Sequence, residues 1–288
     1  MFGYQIDAVK PLVPIDRFEV FATGLDHPEC IAFDRAGNLW AGGEAGQIYR
    51  IDPTGKVETN ASDIGGFTGG IAFSPSDELV VCNPARGLLR VDASGKRSIV
   101  ATHAGSHKML CPNFPVFDRR GNLYVTDSGQ WKKQNGALLR FAPDGNGEVI
   151  AGPFGYANGL ALSSDQARLF MVESNTDRVI AFDIRSDGTL SAAQVFAENV
   201  GRLPDGLALD AEGNLYAACY ASDEILRIDP SGKSQTRLAW DHHAILISRP
   251  TNIAFGGADF DELYVSNFGR QTVTRARVGV KGQKLVNL

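Results

Sequence analysis

PDGLALDAEGNLYAACY, residues 204–220, is the stretch that decides the fold. GLALD and NLYAACY are short runs of strand-forming residues, and DAEGN between them supplies the Asp, Asn and Gly of a tight turn. Apolar residues fall on both faces of the first run, with Leu207 and Leu209 on one side and Ala208 on the other. A sheet patterned this way packs against neighbours on both sides rather than facing water. Five variants of the unit recur: PECIAFDRAGNLWAGG (28–43), TGGIAFSPSDELVVCN (68–83), PNFPVFDRRGNLYVTD (112–127), ANGLALSSDQARLFMVE (157–173) and TNIAFGGADFDELYVSN (251–267). Aligned on the apolar residue four places downstream, Glu29, Gly69, Asn113, Asn158, Asp205 and Thr251 are equivalent, at intervals of about 40 to 47 residues. That period signals propeller blades.

The pattern therefore predicts an all-β, six-bladed β-propeller with four antiparallel strands per blade. In the fifth blade these are GLALD, NLYAACY, EILRID and SQTRLAW. FEVFATGL (18–25) reads as a strand with no earlier blade to own it, so this N-terminal strand is expected to close the ring as the outer strand of the sixth blade. Residues 1–17, with two prolines and no clean period, form an irregular lead-in, and 18–288 form one domain, since a closed ring has no internal boundary. Turns such as DRAGN, DRRGN and DPSGK share one face of the disc. The longer segments 101–111, 128–136, 198–204 and 241–250 fall on the opposite face, where function usually sits.

Composition narrows the class. A net charge of −5 with no long basic cluster argues against a nucleic-acid partner. Nowhere does an apolar run approach the roughly 20 residues of a membrane-spanning helix, and MFGYQIDAVKPLVPID does not read as a secretory signal. The expectation is a cytoplasmic protein with no membrane partner, acting on a small-molecule substrate. Cys30, Cys82, Cys111 and Cys219 lack CxxC spacing and are expected to be free thiols.

First strands line the channel of a propeller, so a repeated position is copied around the axis. Glu29, Asn113, Asn158 and Asp205 all offer oxygen there. Two carboxylates and two amide carbonyls suit one hard divalent cation, Ca²⁺ first, with Mg²⁺, Mn²⁺ and Zn²⁺ as alternatives. Gly69 and Thr251 leave gaps through which water or substrate can enter, and Asn252, one place out of register, is a candidate lining residue. The competing explanation is that Asn, Asp and Gly simply begin strands well.

With PEC, PNF, ANGLALS, PDGLALD and the FGG of TNIAFGG, the chain from about residue 18 resembles the senescence-marker-protein (regucalcin)/gluconolactonase family of six-bladed propellers. The resemblance implies a divalent metal held by Glu29, Asn158 and Asp205, with Asn113 beside the ion or bound to it, and lactone hydrolysis as the activity. It also makes Asp205 the proton-handling catalytic residue, which spacing alone does not separate from Glu29. One departure stands out. Sugar-lactone members commonly carry Arg two places before the third-blade Asn and Asp directly after it, but this chain has Cys111 and Phe114. A substrate less polar than a sugar lactone follows. His107, in a long connector, and Trp131 and Tyr156, which offer an apolar wall, are further substrate candidates, although such a histidine is more often simply solvated in its loop and packing between blades explains the aromatics equally. Three other functions share the architecture: a phosphotriesterase-like hydrolase on the same ion, a non-catalytic binding scaffold, and a strictosidine-synthase-like condensing enzyme.

Overall fold

A computed structural model describes residues 10–288. Six four-stranded antiparallel sheets stand around an axis. Their innermost strands are Ile31–Phe33, Ile71–Phe73, Pro112–Phe117, Ala157–Leu162, Pro204–Leu209 and Pro250–Gly256. The fifth blade has its four strands at Pro204–Leu209, Leu215–Cys219, Glu224–Ile228 and Gln235–Trp240, as the sequence pattern predicts.

Both faces of each sheet are covered. In the second strand of the fifth blade, Leu215–Cys219, every residue is buried. Alternate side chains go to opposite seams: Leu215, Ala217 and Cys219 pack with Val172 and Val179 of blade four, while Tyr216 and Ala218 pack with Ile253 and Phe255 of blade six. Each seam is a separate apolar cluster, and each fully buried Leu, Ile or Val contributes about 1.5–3 kcal/mol.

The repeated turn residues are explained by their bonds. Asp210 accepts from the Asn214 backbone N–H at 2.8 Å, the Asn214 side-chain amide at 2.7 Å and the Tyr216 hydroxyl at 2.9 Å. Asp34 does the same with Asn38 and with the Trp40 indole N–H. The Gly within these turns has positive φ, +83° at Gly37 and +84° at Gly213, where a side chain would be strained.

Ring closure is as expected. Glu19–Ala22 pairs antiparallel with Thr272–Arg277 and completes the sixth sheet. Arg275 donates to Glu19 at 2.8 Å and lies over the Phe21 ring, which meets Tyr264 edge-on at 5.0 Å. Of the predicted irregular lead-in, residues 1–9 lie outside the described residues. The remainder is more engaged than expected: Leu12 and Val13 donate to Arg237 and Leu238 on the outer strand of blade five, before a 3₁₀ turn at Ile15–Arg17. Two further elements were not anticipated. The 101–111 connector carries a small hairpin, His103–Ala104 with His107–Lys108. Residues 282–288 cross the tight-turn face of the disc, tied to the ends of innermost strands through Gln283 to Leu209 and Leu162 and through Asn287 to Phe33.

Candidate metal centre

A one-residue irregularity repeats at the mouth of the axis. In blade three, Pro112 pairs with Asp127 and Pro115 with Val125, so Asn113 and Phe114 together oppose Thr126 alone. Asn158–Gly159 and Asp205–Gly206 are set in the same two-against-one manner. In blades one and two, Glu29 and Cys30 both bond Gly42, and Gly69 and Gly70 both bond Cys82. Such bulges re-aim a side chain at the end of a strand. Here they set Glu29, Asn113, Asn158 and Asp205 at the heads of their innermost strands without disturbing the strand below, whereas in blade six the Thr251 side chain turns to the Pro28 carbonyl. Glycine follows the ring position in three blades because the next backbone is so near: a Cβ on Gly159 would meet the Asp205 carbonyl, and one on Gly70 the Asn113 carbonyl.

Asn158 is the most constrained member of the ring. It is 4% exposed, and its amide nitrogen donates to the Ser174 hydroxyl at 3.2 Å, which in turn donates to the Pro204 carbonyl at 2.7 Å. With the amide oriented by this chain, its carbonyl oxygen is left buried and without a hydrogen-bond partner. A buried carbonyl oxygen left this way costs about 1–3 kcal/mol.

The two carboxyls of the ring lack basic partners among the described residues. Burial pushes Glu29 up to about 7, with the charge of Glu44 adding to the effect. Asp205 is pushed well above the ordinary carboxyl range, first by burial and then by the charge of Glu29, while the adjacent Asn158 side chain pulls it partly back. The same charges act on Cys111, whose thiol is raised to about 11 by burial and then by Asp127 and Glu29. Tyr156 is raised too, by burial and then by Cys111, Asp205 and Glu29. Glu29, Asp205, Cys111 and Tyr156, at or just before the heads of innermost strands, thus lie close enough for their charges to act on one another. Two acids, an unpaired amide carbonyl and the half-buried Asn113 form a donor set that fits a hard divalent cation.

Around the ring the predicted residues take distinct places. Tyr156 has φ of +65°, a rare backbone for an aromatic residue, and meets Trp131 edge-on with ring centroids 4.9 Å apart. Trp131 is 47% exposed, so the pair forms a wall open to solvent. His107 is placed less directly. Its Nε2 is held at 2.8 Å by the fully buried Asp127, which also accepts from the backbone N–H of Leu110 at 2.9 Å and of Cys111 at 2.6 Å. His107 therefore helps hold the connector that presents Cys111. Phe114 packs downward, against Leu160 and Leu162. In blade six, Thr251 turns its hydroxyl to the Pro28 carbonyl and Ser266, and Asn252 lines the channel below.

Ser174 and Asp127 escape a reading of the sequence. Both sit where a second strand ends, and neither belongs to the aligned position. The Asp26, His27 and Glu44 group on the rim is the one place among the described residues where three His, Cys, Asp or Glu donors converge. It satisfies itself: His27 Nδ1 lies 2.8 Å from Asp26 and 3.2 Å from Glu44, and Asp26 also accepts from the Ala45 N–H.

Comparison with known proteins agrees with this fold and gives the family. Residues 28–268 match the SMP-30/Gluconolactonase/LRE-like region. The 6-deoxy-6-sulfogluconolactonase of Pseudomonas putida is 28% identical over 239 residues, covering 79% of this chain and 78% of that protein. Among solved structures, a gluconolactonase from Xanthomonas campestris superposes with a TM-score of 0.79 at 21% identity, covering 91% of this chain and 89% of that one. The calcium-binding protein regucalcin from Agrobacterium tumefaciens gives 0.81 at 18%, covering 96% and 98%. The matched family spans all six innermost strands and the four oxygen-bearing ring positions, and this chain belongs to the SMP-30/gluconolactonase/LRE-like family.

Proposed function

We propose that this protein is a divalent-cation-dependent hydrolase that opens a lactone or related cyclic ester, and that its substrate is less polar than a sugar lactone. The observation that carries the proposal is the Asn158 carbonyl oxygen, held in place, buried and unpartnered beside an acid with no basic partner. Glu29, Asn158 and Asp205 would hold the ion, with Asn113 alongside, and calcium is the first choice for an all-oxygen set. A cation bound there supplies Lewis-acid polarisation of the ester carbonyl.

The remaining steps belong to the chain. Asp205 is the carboxylate we assign to accept the proton of the attacking water and to return it to the leaving alkoxide oxygen, so that no proton is gained or lost over the cycle. Tyr156 and Trp131 orient the substrate from one side and exclude water there. Asp127 and His107 fix the connector bearing Cys111, and Cys111 offers a weakly polar thiol at the sequence position where the family resemblance leads one to expect Arg. This is the basis for the less polar substrate.

A panel of lactones graded from sugar lactones to alkyl lactones, assayed with and without chelator beside an activated phosphotriester, tests the proposal. Chelator-sensitive hydrolysis that favours alkyl lactones is expected. Asp205→Asn should lower turnover about 10²–10⁴-fold, the usual contribution of a positioned acid–base group. Full activity in that variant, or phosphotriester hydrolysis alone, contradicts the assignment.

A further inference from the structure

Below the ring the axial channel encloses a cavity of about 360 Å³, within the size range of small-molecule sites. The repeat itself builds its wall. IAF, IAF, PVF, LAL, LAL and IAF occupy equivalent positions in the six innermost strands, and their central residues are Ala32, Ala72, Val116, Ala161, Ala208 and Ala254. Both kinds of residue pack in the seams and touch the cavity, and the small Ala72, Ala208 and Ala254 keep partial exposure to it. Leu285 and Val286 of the crossing segment floor the cavity. Among the described residues its only charged lining is Arg119 and Lys284, both exposed, and Arg119 is turned to the Ser164 carbonyl at 2.8 Å.

One polar side chain stands apart in this wall. Asn252 is 2% exposed and lines the cavity. Its orientation is fixed by the neighbouring backbone, because the Ile253 N–H can donate only to the amide oxygen, which it does at 2.6 Å. The amide nitrogen is the end left over, and it has no acceptor among the described residues. A cation would meet only positive charge here, an anion would find its counter-charges only on the exposed Arg119 and Lys284, and a pure hydrocarbon would leave the Asn252 N–H groups unpaired.

We infer that this chamber binds a neutral, medium-chain molecule with a single carbonyl oxygen, a ketone or an open-chain ester, with the oxygen on the Asn252 amide and the chain among the alanines. The site is separate from the cation-dependent chemistry above it and does not rest on that reading.

Titration calorimetry of the whole chain with 2-nonanone, with and without chelator, tests the inference. Saturable one-to-one binding that chelator does not change is expected. Asn252→Ala should weaken it roughly three- to tenfold, the worth of one hydrogen bond. Ala254→Phe, which fills the chamber, should abolish it, and Ala72→Leu serves as a second, smaller obstruction, with circular dichroism verifying that each variant folds. Absence of binding, or binding equally tight in folded Ala254→Phe and Ala72→Leu, overturns the proposal.

Discussion

Asn158 shows how much of a site depends on what orients one side chain. Its carbonyl faces the ring only because Ser174 engages the amide nitrogen and is itself tied to the Pro204 carbonyl. Ser174→Ala releases the amide to turn, and calcium affinity of the chelated and reloaded protein is expected to fall about 10–100-fold, with the melting temperature of the cation-free protein little changed. Glu29 yields a dependence on pH. Its folded value is raised to about 7 from an ordinary 4.5, so the stability it contributes is complete below the unfolded value and is lost as pH rises towards 7. Asp205 shifts in the same direction. The cation-free protein should therefore melt at a higher temperature at pH 5 than at pH 8, and added cation should remove most of that difference. A flat melting profile between these pH values would show that the two acids are not desolvated together. At this scale Glu29, Asn113, Asn158 and Asp205 were legible because the blade period copies one position around the axis. Ser174 and Asp127 were not, since their partners come from the start of another blade or from a connector, and no spacing records that.

At the scale of elements, the bulge at the head of each innermost strand links the repeat to the site. It explains why the aligned position is followed by Gly70, Gly159 and Gly206: two residues occupy the space of one, and the neighbouring backbone comes close. Gly159→Ala would press the first strands of blades four and five apart. A loss of about 1–3 kcal/mol in urea unfolding is expected, the usual cost of overpacking, together with weaker cation binding. The strands and the DxxGN turns could be read from composition because their chemistry is local, as Asp210 and Asn214 illustrate. The bulge could not, because an extra residue in a strand has no sequence mark of its own. It also left the sixth blade uncertain by one residue, and the structure resolves this by sending Thr251 to the seam with Pro28 and Asn252 to the channel.

The whole molecule is a ring whose two ends are joined in one sheet, so each seam depends on closure. Glu19–Ala22 brings Phe21 against Tyr264 and carries Leu25, 2% exposed, into the seam between blades six and one. Removing residues up to Leu25 should lower the unfolding free energy by about 4–9 kcal/mol, the worth of the buried side chains Val13, Phe18 and Leu25. Cation affinity should fall with it, because Glu29 begins four residues later and is positioned by that seam. An unfolding curve unchanged by the deletion would mean that closure is not what stabilises the disc. The six-fold pattern announced this architecture, but the crossing segment 282–288 and the chamber it floors become visible only once the innermost strands are placed around one axis. The most direct measurement is an anomalous difference map from crystals of the protein soaked in Mn²⁺. The account predicts one dominant peak bounded by Glu29, Asn158 and Asp205, with Asn113 beside it. A map featureless at the axis, or one with its peak at Asp26, His27 and Glu44 instead, would contradict it.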